Sequence, residues 1–264
     1  MDLGLGGKTA LLTGGSKGIG RSVAQALSAE GARVMICARD ADTLAGAAHG
    51  IEKATGGTVL TVAADLSDRD SVGRVAREAI SQLDGLDILV NNAGAIKGGD
   101  FLSTPDDEWV NGWSFKLLGY IRMAREVLPH MQARRRGRIV NVVGAAARNP
   151  AVTYMMGGCA NAALINFTKS LSDLAVKSGV LVTGVSPGPV KTERWDHLTV
   201  QQAAAAGQDV ETYAKEQNAS FPLGRIALPE EVADLVCFLA SERASYLTGI
   251  TITVDGGITR GVYL

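Results

Sequence analysis

A short apolar run, Thr9–Thr13, leads directly into Thr13-Gly14-Gly15-Ser16-Lys17-Gly18-Ile19-Gly20 and then into an amphipathic stretch. No other segment restricts the possible folds so severely. A buried strand that ends in glycines and opens a helix leaves the unpaired N–H groups of the helix start facing side-chain-free backbone, which suits a phosphate group. Gly14 can take the tight turn. Gly18 and Gly20 allow close approach of backbone to an anion and of helix to strand. The helix reads as Ile19–Glu30, with Gly31 as its stop.

The remaining chain repeats this alternation. Strands are expected at Arg33–Ala38, Thr58–Ala63, Leu86–Asn91, Arg138–Val143, Val180–Ser186 and Ile250–Val254. Helices are expected over Ala41–Ala54, Asp68–Leu83, about Asp106–Gln132, Tyr154–Lys177 and Pro229–Ala240. The strands are near-continuous apolar runs, as burial on both faces requires. Alternating strands and helices give a parallel sheet covered on both sides. The expected fold class is therefore a single doubly wound α/β domain spanning 1–264. The polar, Ala/Gln-rich stretch of about 192–221 interrupts the pattern and reads as a mobile helical lid.

Composition excludes several alternatives. Hydrophobic residues are 46% of the 264, enough for a large core, and the net charge of −1 suggests neither nucleic acid nor an anionic membrane as partner. The arginines at 134, 135, 136 and 138 read as a solvated loop. Cys37, Cys159 and Cys237 imply no disulfide framework, and His49, His130 and His197 show no metal-ligand spacing, so no metal is expected. With no leader-like segment or membrane span recognised, a cytoplasmic location is the expectation.

The second strand ends Cys37-Ala38-Arg39-Asp40. A site selective for NAD places an acid at this tip to hold the ribose 2′-hydroxyl. Ala38 cannot do so, whereas Arg39, with Ser16 and Lys17, can clamp a 2′-phosphate. NADP is the expected cofactor. Asp40 keeps NAD possible.

Together these motifs resemble the short-chain dehydrogenase/reductase superfamily, which has a Rossmann-type fold. The TGxxxGxG spacing, Asn91-Asn92-Ala93-Gly94 after the fourth strand, Asp65, the Pro187-Gly188 pair followed by Thr192, and Asp255-Gly256-Gly257 carry the resemblance. It implies that Gly14, Ser16, Lys17, Gly18, Ile19, Gly20, Arg39, Asp65, Leu66, Asn92, Ala93, Gly94, Pro187, Gly188, Val190 and Thr192 line the dinucleotide. It also implies hydride transfer to or from a small-molecule substrate.

The resemblance fails at the catalytic positions. Family members use an Asn–Ser–Tyr–Lys tetrad, in which Tyr donates a proton to a carbonyl oxygen. By their flanks, these positions fall here at Lys116, Gly144, Gly157 and Asn161. Glycine can neither transfer a proton nor offer a side-chain hydrogen bond. Tyr154, one helical turn before Gly157, can swing its phenol into the space a side chain would fill. The segment from Tyr154 to Asn161 is similar to the enoyl-ACP reductase subgroup, whose Tyr sits farther upstream. Lys116, Tyr154 and Asn161 are accordingly expected to form a rearranged site, with Lys116 supplying charge and Asn161 also holding a ribose hydroxyl. Against this stand a solvent-directed Lys116 and a Tyr154 that is merely a wall. A catalytically silent cofactor-binding partner or sensor, and a non-redox lyase or hydratase, are the other readings open from sequence.

Ala95, Ile96, Ala145, Tyr154, Pro189, Trp195 and His197 are the expected pocket walls, mostly apolar, which favours a hydrophobic carbonyl or enone-like substrate. Trp113, Phe115, Leu117, Leu118, Leu164, Ile165 and Phe167 give the long helices more apolar surface than one face needs, so a homodimer or homotetramer is expected.

Overall fold

The computed structural model describes residues 1–261. Their seven strands form one parallel sheet: β1 (Thr9–Thr13), β2 (Arg33–Ala38), β3 (Val59–Ala63), β4 (Ile88–Asn91), β5 (Gly137–Val142), β6 (Val180–Pro187) and β7 (Thr251–Val254), in spatial order β3-β2-β1-β4-β5-β6-β7. Successive side chains point to opposite faces of a strand. Leu11, Met35, Leu89, Ile139 and Val182 therefore feed one core, and Leu12, Ile36, Val90, Val140 and Val185 the other. Both cores are fully buried, which explains why the strands read as unbroken apolar runs.

The helices are α1 (Gly18–Ala29), α2 (Ala41–Thr55), α3 (Arg69–Gln82), α4 (Asp106–Trp113), α5 (Gly119–Ala133), α6 (Met155–Ala175), α7 (Glu193–Ala206), α8 (Val210–Ser220) and α9 (Pro229–Ala240). Gly31 stops α1 with φ +82°, its N–H donating to the Ser28 carbonyl. The helix expected over Asp106–Gln132 is not continuous: a π-helical turn, Ser114–Leu118, separates α4 from α5. The 192–221 stretch folds as α7 and α8, and Trp195 packs on Phe221 with ring centroids 6.3 Å apart, tying the start of the insertion to its end.

Strand order reverses between β1 and its two neighbours, β2 and β4. That switch point opens a crevice at the carboxyl ends of the strands, where ligands bind in such sheets. At the opposite end the arginine cluster is not a free loop. Arg134 and Arg136 pair with Asp87 at 3.1 and 3.2 Å, and Arg138 pairs with Glu242 at 3.2 Å. Asp87 also accepts from the Thr9 N–H and hydroxyl, so this cluster fixes the starts of β1 and β5.

Of the apolar residues in these segments, Leu164 is buried, and Phe115, Leu117, Ile165 and Phe167 pack on the cores, leaving Leu118 exposed at the end of the π-helical turn and Leu174 exposed on α6. Trp113 packs against Ile96 and Met156. The surplus of apolar surface is smaller than the sequence suggests. No helix among the described residues is long and apolar enough to cross a membrane.

Candidate functional site

The glycine loop is held in shape by β4. The Thr13 hydroxyl accepts from the N–H groups of Asn92 and Ala93, and the Asn92 amide donates to the carbonyls of Thr13 and Gly14. Gly14 and Gly18 have φ of +71° and +52°, in the left-handed region that favours glycine. A Cβ on Gly20 would lie 2.0 Å from the Gly14 carbonyl oxygen. These glycines thus make a cradle of backbone at the N-terminus of α1, with the Ser16 hydroxyl unpaired among the described residues. Ile19 packs on the core and offers only its backbone. Lys17 does not reach freely into the cradle: its amine pairs with Glu193 at the start of α7, 2.7 Å away.

At the tip of β2, Arg39 lies over the Phe115 ring at 5.5 Å from its centroid. Asp40 accepts from the Thr43 N–H at 2.7 Å and caps α2, so its carboxylate is engaged by the helix. That leaves a cation, not a free acid, at the tip of β2. Asp65 is exposed and accepts from the Ser67 N–H and hydroxyl, which hold its carboxyl below its ordinary pKa. The Leu66 side chain is 5% exposed and belongs to the core, so only its backbone can face a ligand. Pro187 and Gly188 follow β6, with the Gly188 N–H bonded to the Val254 carbonyl. Val190 is buried and bridges Ala227, and Thr192 caps α7 by accepting from the Trp195 N–H. The Asp255 carboxylate accepts from the N–H groups of Gly257 and Thr259, giving that motif a role in turning the chain.

Beyond the cradle, three glycines are overlaid by three neighbouring side chains. A Cβ on Gly157 would lie 2.1 Å from the Tyr154 ring and 2.6 Å from its hydroxyl oxygen. A Cβ on Gly144 would lie 2.8 Å from the Asn161 amide nitrogen, and one on Gly94 would lie 2.7 Å from the Lys116 stem. The Tyr154 phenol therefore occupies the volume that a side chain at Gly157 would need. Its hydroxyl has no hydrogen-bond partner among the described residues. Asn161 is 2% exposed and its Oδ1 is buried without a donor, an acceptor available to a ligand hydroxyl.

Lys116 lies on the π-helical turn and is 7% exposed, so it does not extend to solvent. Its Nζ donates to the Val143 carbonyl at 2.6 Å. Burial, reinforced by the nearby Arg194 cation, lowers its pKa to about 7. No hydrogen bond links Lys116 to Tyr154 among the described residues. The buried Tyr120 hydroxyl donates to the Val142 carbonyl.

The expected walls divide. Ile96 is buried in an apolar cluster with Met156 and Ala160, beside Trp109 and Tyr154. Ala145 and Pro189 are partly exposed, Ala95 is exposed, and Trp195 anchors the insertion. His197 is exposed and does not wall the pocket. Residues missed from sequence line the cleft instead: Lys97, Phe101, Thr104, Trp109, Met155 and Met156 join Tyr154. Trp109 stacks edge-on with both Phe101 and Trp113. Arg194, in the first turn of α7, donates to the Ile96 carbonyl at 2.5 Å.

Comparison with known proteins agrees with this architecture. Residues 14–259 match the sequence profile of a family described as enoyl-(acyl carrier protein) reductase. The chain is 35% identical to the uncharacterized oxidoreductase YvrD of Bacillus subtilis over 99% of its own length and 100% of the relative's. It is 34% identical to the 3-oxoacyl-[acyl-carrier-protein] reductase FabG of Aquifex aeolicus, covering 98% and 100%. Its fold superposes on L-sorbose reductase from Gluconobacter frateurii, solved with NADPH and L-sorbose, with a TM-score of 0.95, 33% identity and coverage of 99% and 100%. The glycine cradle at the sheet's switch point and these end-to-end matches lead to one assignment: the chain belongs to the short-chain dehydrogenase/reductase superfamily of oxidoreductases.

Proposed function

We propose that this chain is an NADP(H)-dependent reductase of a hydrophobic carbonyl or enone-like compound, working through a rearranged site of Tyr154, Lys116 and Asn161. The observation that carries the reading is the Tyr154 phenol lying in the volume vacated by Gly157. The residues suit the cofactor: a side-chain-free cradle for the pyrophosphate, Arg39 beside a committed Asp40 for the 2′-phosphate, and the unpartnered Asn161 Oδ1 for a ribose hydroxyl. The solved relative L-sorbose reductase carries NADPH. When bound, the nicotinamide supplies the hydride.

The chain's own groups supply the rest. Tyr154, with an unpaired hydroxyl at the cleft, delivers a proton to the developing oxyanion. Lys116 contributes positive charge and can re-protonate Tyr154 through a shared water, its pKa near neutrality suiting it to exchange protons. Phe101 and Trp109, on the cleft beside Tyr154, offer an apolar surface to a substrate body. Leu118, exposed at the end of the π-helical turn, and Leu174, exposed on α6, favour a homo-oligomer. The relatives named above are reductases or oxidoreductases, which favours retained redox chemistry over a silent partner or a lyase.

The test is NADPH oxidation across a panel of aryl and alkyl ketones and enones. With an accepted substrate, Tyr154→Phe should lower kcat by about 100-fold or more, the usual range for a lost proton donor, and Lys116→Ala should also lower it. Unchanged turnover in both variants would refute the rearranged site.

A further inference from the structure

A cavity of about 280 Å³ opens where β4 and β5 begin, at the end of the sheet opposite the glycine cradle. Lys8, Asp87, Arg136, Arg138 and Glu242 line it, beside the small Gly137 and Ala240. Glu242 accepts from Lys8 on one carboxylate oxygen and from Arg138 on the other, at 3.1 and 3.2 Å. Asp87 holds Arg134 and Arg136 on Oδ1, and the Thr9 N–H and hydroxyl on Oδ2. Every carboxylate oxygen of the cluster is thus engaged. No other carboxylate pairs with these cations among the described residues. Lys8, Arg134, Arg136 and Arg138 therefore share two carboxylates, and two positive charges have no counter-ion. The ion pairs account for fixed strand starts. They do not account for this excess, on a chain whose net charge is −1.

The donors are underspent as well. The Arg138 Nε–H is buried without an acceptor, which costs stability until one arrives. Arg136 has only its contact with Asp87, and 58% of its side chain is exposed. A guanidinium offers five N–H donors and an ammonium three.

We propose that this cavity binds a phosphate group, free or as a phosphomonoester, through Lys8, Arg136 and Arg138. A phosphomonoester carries about −1.5 to −2 charges near pH 7, which matches the two uncompensated cations, and its oxygens suit the planar fork of arginine. A carboxylate would neutralise only one of them. Ile88 is buried within β4 and offers no apolar platform, so the site reads the phosphate rather than the rest of the ligand. Lys8 precedes β1 and Arg136 precedes β5, two strands separated by β4. The bound phosphate ties their starts together and stabilises the folded chain.

The test is calorimetric titration with inorganic phosphate and with glycerol 3-phosphate, in chloride buffer of constant ionic strength, followed by thermal melts. One phosphate per chain should bind, and saturation should raise the melting temperature by about 2 °C or more. Arg136→Gln and Lys8→Gln should each weaken binding by about tenfold or more, with NADPH affinity unchanged. Glu242→Gln separates a ligand site from a purely structural cluster. Losing that carboxylate leaves a third cation uncompensated, so phosphate should bind more tightly although two ion pairs are gone. Binding of the ester but not of free phosphate supports the site and narrows its ligand to phosphomonoesters. No heat with either compound, a melting shift that chloride reproduces, or unchanged affinity in both Arg136→Gln and Lys8→Gln overturns the proposal. Phosphate can also enter the glycine cradle. Heat that saturating NADPH abolishes and Arg136→Gln retains belongs to the cradle, and it too overturns the proposal.

Discussion

Replacing Lys116 with Met should change the pH dependence of stability in a way no surface lysine can mimic. In the folded chain the Lys116 pKa is lowered from 10.5 to about 7. Between those values the unfolded chain holds a proton that the folded chain has released, so stability rises with pH across this window. Below pH 7 both states are protonated and the penalty of the buried charge is complete. At roughly 1.4 kcal/mol per pKa unit, the shift corresponds to about 5 kcal/mol, an upper bound because water penetration relaxes buried charges. Lys116→Met removes this term but leaves the Val143 carbonyl without its donor, a cost of about 1–3 kcal/mol. The absolute change at one pH is therefore a small difference of opposed effects. The slope is not. Urea unfolding at intervals from pH 6 to pH 10 should show the wild type gaining about 3 kcal/mol or more relative to the variant as pH rises. Exposed lysines titrate alike in both proteins and cancel; the buried thiols of Cys37 and Cys237, pushed up from 9.0 to about 12, lower stability above about pH 9 equally in both proteins and cancel as well. Parallel curves would show that Lys116 is solvated and would refute both its burial and its assigned proton exchange.

Other substitutions read the remaining parts of the site. Gly157→Ala puts a methyl 2.1 Å from the Tyr154 ring, so kcat should fall at least about tenfold and stability by about 1–3 kcal/mol while NADPH affinity is kept. Asn161→Leu removes a buried acceptor that lacks a donor, so the free chain should become more stable by about 1–3 kcal/mol, whereas NADPH should bind more weakly. Calorimetry and melts of the same preparation should show these opposite signs. Glu193→Gln frees Lys17 for the phosphates and should tighten NADPH several-fold without moving the melting temperature, since the pair is exposed.

Much of this was legible in the sequence because the sheet is buried on both faces. Leu11-Leu12 and Leu89-Val90 are apolar whichever way they point, and glycines bound the helices that cover them. The cradle was legible because each of its glycines has a steric reason, and the Tyr154 displacement because Gly157 leaves a volume one turn away. The π-helical turn at Ser114–Leu118 was not, since the same residues suit an α-helix and carry no local signal for the wider turn. Lys116 was read as either solvent-directed or catalytic. Burial against Gly94 and a bond to the Val143 carbonyl depend on β5 and the loop after β4, far apart in sequence. Nothing in the sequence marks Arg194, whose bond to the Ile96 carbonyl depends on the path of α7 across the loop after β4.

Calorimetric titration of the intact chain with NADPH and NADH, followed by thermal melts, bears most directly on the dinucleotide cradle from which every chemical step above descends. One NADPH per chain should bind, at least about tenfold more tightly than NADH, with a matching rise in melting temperature. No heat and no shift in melting with either dinucleotide at millimolar concentration would contradict the cofactor site and the reductase with it.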